Sequence, residues 1–533
     1  MIPHRLPLIS LVAILTLTST AKSVNREKLR TAINLPEVIS GFGYGANGWG
    51  ELLSTADTVP QPEKIAEIEA QLKGDVTDAE RYCRLNSLYY RANQPAKGNE
   101  QLRKAEALLR RHLKSHPDDK GARLRLADVL DGLQIREEVE TLLRRAVADS
   151  AKDWQAWLAL GRFLSGKSRR TILNGKTIHG FTAEEIAHEL QKISPTPEQI
   201  AAGQQLAKEA DACLNRAVEL APRTPKVYFD RGMAHFDHDS FYCGLRIYMG
   251  DKVGSDGVVP SPEARRDLRK AVTLGFSDYG LIGLVDVMDA MADAYEYSLS
   301  NPSAGEQKHL QDSMSEATRQ RVREHVALLT REMRQDDKRK AAEAAEILGY
   351  LQLLIIPDVP AAKQVLRRSI DLDPSRNAPW EMLLFILLRE KQLQKAEELC
   401  CQRLKHCNTA RNRLFLARVY VELDRLPKAE EVIRAGLDRE PDDFLLNLSY
   451  ADLLLMRGGN DELKQATEVL GKLEKGRSQA IADDRIWPNY CFACGISYGL
   501  SGDIDLARRW LEDVRKRKPK YPHLQEVLKA LVE

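Results

Sequence analysis

A surplus of charge of one sign is absent from this chain of 533 residues, which has 79 Lys and Arg against 77 Asp and Glu. Proteins whose main partner is nucleic acid or an anionic membrane usually show a basic surplus. The charged run from Arg334 to Lys340 mixes both signs at helical spacing, which is typical of a solvated helix face. The composition therefore predicts neither nucleic acid nor a membrane surface as the main partner.

The sequence also contains no His-Glu-x2-His zinc motif and no protein-kinase signature. The glycines Gly43, Gly45 and Gly48 have the spacing of a dinucleotide-binding loop, but the residues before them contain Pro36 and no buried strand pattern. They are better interpreted as part of a leader or as a cap on the first structural unit. We expect no enzyme, no catalytic residues, no cofactor and no metal.

Long apolar runs are confined to the N-terminus. Arg5 supplies positive charge, Leu6 to Thr18 is apolar, and Ser19-Thr20-Ala21 resembles a signal-peptidase site. The run is too short to span a bilayer comfortably. The sequence predicts a signal peptide over residues 1–21, export to a periplasm or beyond, and no integral membrane segment after cleavage.

Cysteines number eight, which in an exported protein raises the question of disulfides. Cys400 and Cys407 would be about 10 Å apart along one helix, too far to bridge. Cys491 and Cys494 have the CxxC spacing of redox and zinc sites, but no second cysteine or histidine pair completes such a site. A role as small buried apolar residues is the better interpretation.

What the chain does contain is a helix-pair pattern that returns about every 34 residues. Ala362, Ala396 and Ala429 are 34 and 33 residues apart. Two short helices cannot bury their apolar faces alone, whereas stacked copies can. The low aromatic share of 6% agrees with a helix-rich repeat protein.

The residues of the pattern resemble the tetratricopeptide repeat, which has Trp-x2-Leu-Gly-x2-Tyr in its first helix and Ala-x3-Phe before a proline in its second. The first helix is matched by Trp157, Leu160 and Gly161. Further matches are Ala105, Ala210, Leu214, Ala264, Ala362, Trp380, Ala396, Gly495, Ala507 and Pro519. The resemblance covers residues 80–521. It implies an all-α, right-handed superhelical solenoid of roughly nine to eleven helix pairs whose first helices line a concave face.

Two repeats depart from the spacing. Gly161 and Ala210 are 49 residues apart and Gly232 and Ala264 are 32 apart, where a bare repeat has about 12. We therefore predict a leader or cap at 22–75, repeats at 76–275 with insertions at 165–205 and 236–261, an irregular helical segment at 276–345 and further repeats at 346–533. The insertions are expected to protrude, with a short helix starting near Thr182.

The second insertion opens with His235, Asp237, His238 and Asp239, side chains that could bind a metal or move protons. A polar helix end that runs into a loop is the preferred interpretation, with Val258 and Val259 as a possible strand. A metal-dependent enzyme that uses residues 235–262 remains an alternative.

The resemblance implies that solvent-facing residues of the first helices contact partners. The candidates are Arg125, Asp128, Arg162, Glu381, Arg389, Arg418, Glu422, Asn489 and Phe492. Some members of the family grip a C-terminal carboxylate with Lys and Asn along this groove, but the matching places here hold Leu124, Leu158 and Leu414. The expected function is an exported adaptor for protein or peptide partners. By family analogy alone, the alternative is a factor for exopolysaccharide assembly or export.

Overall fold

The structure is a computed structural model that describes residues 62–91, 95–176, 178, 183–251, 261–276, 278–300, 310–474, 486–518, 521 and 523–531. All regular elements in these ranges are helices. The predicted signal peptide, the glycines at 43–48 and most of the predicted leader lie outside them, as do Val258 and Val259. None of the described helices is both long and apolar enough to cross a membrane.

The described residues divide into two compact units, the first ending at Leu383 and the second beginning at Leu384. The helices of the first unit are α1 Pro62–Ala70, α2 Asp78–Arg91, α3 Pro95–Ser115, α4 Lys120–Gly132, α5 Arg136–Asp149, α6 Trp154–Ile172, α7 Ala183–Ile193, α8 Pro197–Leu220, α9 Pro225–Tyr248, α10 Pro262–Thr273, α11 Tyr279–Ser300, α12 Leu310–Ser313, α13 Glu316–Glu332, α14 Lys338–Leu354 and α15 Val359–Leu372.

The unit boundary falls within α16, Ala378–Arg389. The second unit continues with α17 Leu393–His406, α18 Ala410–Glu422, α19 Leu426–Leu437, α20 Phe444–Arg457, α21 Asn460–Glu474, α22 Ile486–Ser501, α23 Ile504–Arg517 and α24 Leu524–Ala530. After α1, the described helices run in chain order as ten pairs, with α7 and α12 as short additions and α24 after the last pair. This agrees with the expected number.

The packing inside a pair follows the predicted pattern of small and large residues. A Cβ atom on Gly161 would lie 2.7 Å from Leu214 Cγ and 3.2 Å from the Ala210 carbonyl. Gly232 meets Leu268 and the Ala264 carbonyl at 2.8 and 3.2 Å in the same way. In the second unit, Gly495 meets Leu511 and the Ala507 carbonyl at 2.6 and 3.4 Å. The glycine lets the two helix backbones approach, and the leucine fills the space beside it.

Local sequence sets where the helices begin and turn. Side-chain carboxylates or hydroxyls accept hydrogen bonds from the first backbone N–H groups of a helix. Asp119 accepts one from Ala122, and Asp153 accepts one from Gln155. Thr196 and Gln199 form a reciprocal capping box at the start of α8. Tight turns inside pairs contain one residue of positive φ, such as Gln134 at 64° and Asp424 at 57°. These turns bring the second helix back antiparallel to the first.

The first insertion is packed against α9. It lengthens α6 and α8, which run side by side, and it adds the predicted short helix as α7. Ile186 and Leu190 of α7 share a buried cluster with Ile172, Phe241 and Leu245. Thr182, the predicted start of this helix, lies outside the described residues.

The second insertion begins later than predicted. The expected polar helix end near His235 is wrong, because α9 continues as a helix to Tyr248. Its added turns are covered by α7: a Cβ on Gly244 would lie 2.5 Å from Ile186 Cγ2 and 2.8 Å from the Ala183 carbonyl. The distant α7 supplies the apolar surface that Phe241 and Leu245 need.

The predicted irregular segment, 276–345, contains α11 and α13, and its end at 345 is wrong because it cuts α14. Buried carboxylates of α11 hold this region together. Asp289 accepts from Arg265 at 3.3 Å and from Arg321 at 2.8 Å. His325 Nδ1 lies 2.8 Å from both carboxylate oxygens of Asp286. These contacts connect α11 to α10 and to α13.

None of the eight cysteines, which all lie in the described ranges, forms a disulfide, and the interpretation of Cys491 and Cys494 as buried residues is confirmed. Both point into the core of the second unit, with exposed fractions of 0% and 3%. The Tyr490 hydroxyl, one residue before the motif, donates to the Leu470 carbonyl at 3.1 Å. The CxxC spacing here serves packing.

Candidate protein-interaction surface

The nine predicted contact residues divide by exposure. Arg125, Asp128, Arg162, Arg389 and Glu422 are exposed, and Arg418 and Asn489 are half-buried. Glu381 and Phe492 are buried, with 9% and 5% exposed, so their predicted position at the surface is wrong.

The error at Phe492 comes from a neighbour that the repeat pattern does not show. Phe492 packs against Tyr521, their ring centroids 4.8 Å apart, and Tyr521 comes from the segment after the last pair. The same tyrosine donates its hydroxyl to Asn489 Oδ1 at 2.6 Å. Glu381 lies in α16 between Trp380 and Met382, which are both buried. Neither Glu381 nor Phe492 can offer its side chain freely to a partner.

The structure brings two of the candidates together with two residues that were not predicted. Asp128 of α4, Arg162 of α6, and Lys226 and Asp230 of α9 form a group that we call the charged cluster. Arg162 Nη1 lies 3.8 Å from Asp230 Oδ2, and Lys226 Nζ lies 3.1 Å from the same oxygen. The Asp230 side chain is 6% exposed, whereas those of Arg162 and Lys226 are 56% and 52% exposed. A buried carboxylate thus positions two cations that remain accessible to solvent.

Asp128 is electrostatically part of this cluster. Displacement of water from its carboxyl group raises the pKa of Asp128, and the charge of Arg162 acts in the opposite direction. Lys226 also lowers this pKa, whereas the negative charges of Asp131 and Asp230 raise it. Three consecutive first helices therefore contribute to one surface with alternating charge. Such a surface selects partners by complementary charge and speeds their encounter.

Lys226 and Asp230 were missed for a reason of register. Arg162 directly follows the packing glycine Gly161, and the residue that follows Gly232 is Met233. The position directly after the packing glycine therefore predicts Arg162 but not Asp230, which lies two residues before Gly232. The spacing of Lys226 and Asp230 by four residues, just after Pro225, was the available signal for an ion pair at the start of a helix.

The candidates of the second unit form no comparable cluster. Arg418 and Glu422 lie one turn apart on α18, and Arg389 lies at the end of α16. Among the described residues, no hydrogen bond or ion pair joins these three side chains to one another. The charged cluster of the first unit is therefore the stronger candidate site.

The histidines of α9 are occupied by contacts within the protein. His235 Nε2 lies 3.5 Å from Asp211 Oδ1, and this hydrogen bond raises the pKa of His235. His238 stacks on Tyr242 with centroids 4.0 Å apart, and burial lowers the pKa of His238. Asp239 accepts from the Ser261 backbone N–H at 3.0 Å. Within the described ranges, no group of three or more His, Cys, Asp or Glu is placed to bind a metal.

The letter patterns of two catalytic motifs occur in the chain. Residues 161–168 spell the Gly-x4-Gly-Lys-Ser of a phosphate loop, and residues 495–499 spell the Gly-x-Ser-x-Gly of a hydrolase elbow. Both lie inside helices, α6 and α22, whereas each motif needs a strand, a turn and a helix. Lys167 Nζ is 2.5 Å from Glu140 Oε2, and Ser497, 1% exposed, lies 2.9 Å from Thr467 Oγ1. These residues have structural contacts in place of catalytic ones.

Comparison with known proteins gives fold-level likeness only. No protein-family model and no curated protein matches the chain. The yeast Tom70 crystal structure is 14% identical with a TM-score of 0.39, covering 91% of this chain and 95% of its own. A tetratricopeptide repeat protein from Parabacteroides merdae is 12% identical with a TM-score of 0.33, covering 57% and 100%. The P58(IPK) TPR domain is 14% identical with a TM-score of 0.22, covering 85% and 98%.

Likenesses at these TM-scores say nothing about partners or activity. The type of repeat follows from the packing already described, in which glycines of first helices meet leucines and alanine carbonyls of second helices. That contact recurs in both units at the positions of the tetratricopeptide pattern. The described part of the chain is therefore all-α and built from stacked helix pairs, whose packing contacts fall at the positions of the tetratricopeptide pattern.

Proposed function

We propose that this protein is a non-catalytic scaffold that binds protein or peptide partners through the charged cluster. The observation that supports this most is that Arg162 of α6 and Lys226 of α9 both contact Asp230, and that the charges of all three act on Asp128 of α4. Stacked helix pairs offer a long surface at low cost in loop ordering, and such surfaces commonly bind extended segments or helices of other proteins.

The cluster favours a partner segment that carries charges of both signs. Arg162 and Lys226 can each donate to a carboxylate, while Asp128 can accept from a Lys or Arg. Because the side chains of Arg162 and Lys226 are more than half exposed in the free protein, they contribute mainly specificity and association rate. Buried Asp230 holds the two cations in place and is not expected to touch the partner.

Export is part of this proposal. It is supported by the charged, apolar and small-residue order of residues 5–21. Fractionation of the native host, with N-terminal sequencing of the mature protein, tests it. Cleavage after Ala21 would support export, and an intact N-terminus in the cytoplasmic fraction would contradict it.

Photo-cross-linking in the native host tests the binding surface. A benzoylphenylalanine at position 162 is compared with one at position 145, since Arg145 lies on the second helix α5 with its side chain 72% exposed. We expect a defined cross-linked species at 162 that is absent at 145. Reversing the charge of Asp128 to Arg should reduce this species several-fold. Equal cross-linking at 162 and 145, or no effect of the reversal, would contradict the proposal.

A further inference from the structure

A groove of about 540 Å³ lies between α9 and α10 of the first unit. Four of its seven lining residues are cationic, and the lining consists of Tyr228, Arg231, Arg266, Asp267, Arg269, Lys270 and Thr273. Tyr228 and Arg231 are three residues apart on α9, whereas Lys226 and Asp230 are four apart on the same helix. At 100° per residue, these two pairs lie on opposite faces of α9. The groove is therefore separate from the charged cluster.

The single carboxylate of the lining is already neutralised. Arg231 Nε and Nη2 donate to the two oxygens of Asp267 at 2.6 and 2.8 Å, and Asp267 is 1% exposed. Arg231 Nη1 also donates to Asn215 Oδ1 at 2.7 Å. This guanidinium is fixed by three hydrogen bonds, and its plane lies near the Tyr228 ring, with Cζ 5.9 Å from the ring centroid.

The remaining cations exceed the local negative charge. Arg269 Nε donates to the Arg265 carbonyl at 3.2 Å and lies 3.7 Å from Asp289, a carboxylate that Arg265 and Arg321 already contact. Arg266 and Lys270 are exposed and four residues apart on α10. Neither has an ion pair with any described residue. Two like charges at this spacing repel each other. An anion bound between Arg266 and Lys270 would remove this repulsion, which the unbound protein carries.

From this arrangement we infer that the groove binds an acidic peptide segment, with carboxylates held by Arg266, Lys270 and Arg269. Carboxylates pair with guanidinium groups through short charge-assisted hydrogen bonds. The groove opens to solvent along the helices, and the Tyr228 ring and the alkyl stems of the basic side chains add apolar surface. A compact anion would leave that surface uncovered, whereas a peptide backbone and its side-chain methylenes would cover it.

Fluorescence anisotropy with the full-length protein tests this inference. The probes are a labelled octapeptide of alternating Glu and Leu, its Gln counterpart and a labelled single-stranded oligonucleotide of eight nucleotides. The test variant is R266E/K270E. The matched control is R508E/R509E on α23, which makes the same change of net charge at two exposed arginines.

We expect the Glu peptide to bind and the Gln peptide to bind at least tenfold more weakly. R266E/K270E should weaken binding of the Glu peptide at least tenfold, whereas the affinity of the control variant should stay within twofold of the parent. Thermal unfolding of both variants should match the parent, since all four side chains are exposed. R266E/K270E should leave the cross-linked species formed from position 162 unchanged, which separates failure of this site from failure of the proposed function.

Three results would overturn the inference. No binding of the Glu peptide would remove the site. Equal weakening by the control variant would show that only overall charge matters. Tighter binding of the oligonucleotide, lost in R266E/K270E, would assign the groove to phosphate-bearing ligands instead.

Discussion

Arg376 Nε lies 2.5 Å from Glu346 Oε2 in the interior of the first unit, with each side chain 3% exposed. The pair joins α14 to the turn that precedes α16 and is one of the few charge pairs here removed from solvent. Removing one partner leaves the other buried without its nearest opposite charge, which costs about 3–5 kcal/mol.

We therefore expect Glu346→Ala to lower the free energy of unfolding of the first unit by about 3–5 kcal/mol. Replacing both residues by leucine should cost much less, because no unpaired charge remains. Urea unfolding followed by circular dichroism measures both changes. Glu468→Ala, at an exposed position on α21, is the control and should stay within about 0.5 kcal/mol of the parent. If Glu346→Ala changes the free energy of unfolding as little as this control does, the prediction is wrong.

Gly161→Ala should destabilise the protein although alanine favours helices. Its new methyl group would lie 2.7 Å from Leu214 Cγ. Overpacking costs about 1–3 kcal/mol, against a gain of about 1 kcal/mol in helix propensity. Gly471 of α21 is the matched control, since a Cβ there meets no atom within 4 Å. Gly471→Ala should raise the thermal midpoint while Gly161→Ala lowers it, and shifts of the same sign would show that the contact is not tight.

Asp452 of α20 is 4% exposed, and burial raises its pKa well above the ordinary value. The unfolded chain loses this proton near pH 4. As pH rises from there towards the higher folded pKa, the folded state is progressively disfavoured and then levels off. Asp452→Asn removes this titration, so the variant should gain stability over the parent as pH rises from 4 to 7.

Unfolding measurements of both proteins across this range check the sign. Asp461→Asn, at an exposed position on α21, should show no comparable gain. If the advantage of Asp452→Asn does not grow with pH, the carboxyl group is not held in its neutral form.

Alkylation should separate the cysteines by burial. Burial raises the pKa of Cys494 to about 12, and thiolate is the reactive form. We expect iodoacetamide at pH 8 to label half-buried Cys407 well before Cys491 and Cys494 in the native protein. All eight should react in denaturant, and peptide mass spectrometry gives the rates. Rapid native labelling of Cys494, or a disulfide between Cys491 and Cys494 after mild oxidation, would point to a redox role.

The repeat architecture was predictable because its determinants are local and periodic. Gly161, Gly232 and Gly495 occur at the same place in the pattern, and each contacts the predicted leucine and alanine of its second helix. Even the separations of 49 and 32 residues did not obscure these pairs. The pattern records which residues must be small, and small residues have few alternatives at a close helix crossing.

Errors arose where distant residues decide the outcome. The polar residues around His235 suggested a helix end, but α7 covers the other face of the continuing helix through Ile186. Phe492 was expected at the surface because nothing in its own repeat shows that Tyr521 packs on it. The contact of Asp230 with Arg162 was missed because it joins two different helices, α9 and α6. None of these contacts leaves a periodic signal.

The covering of α9 by α7 bears on how this protein could be shortened or recombined. Repeats of this kind are usually exchangeable one at a time, because each meets only its neighbours. Here, removal of residues 154–220 as one repeat would remove the α7 side chains that cover Phe241 and Leu245. Removal of residues 225–273 would likewise expose Ile186 and Leu190. Residues 154–273 must therefore be transplanted, deleted or duplicated together, because their helices share one packed cluster.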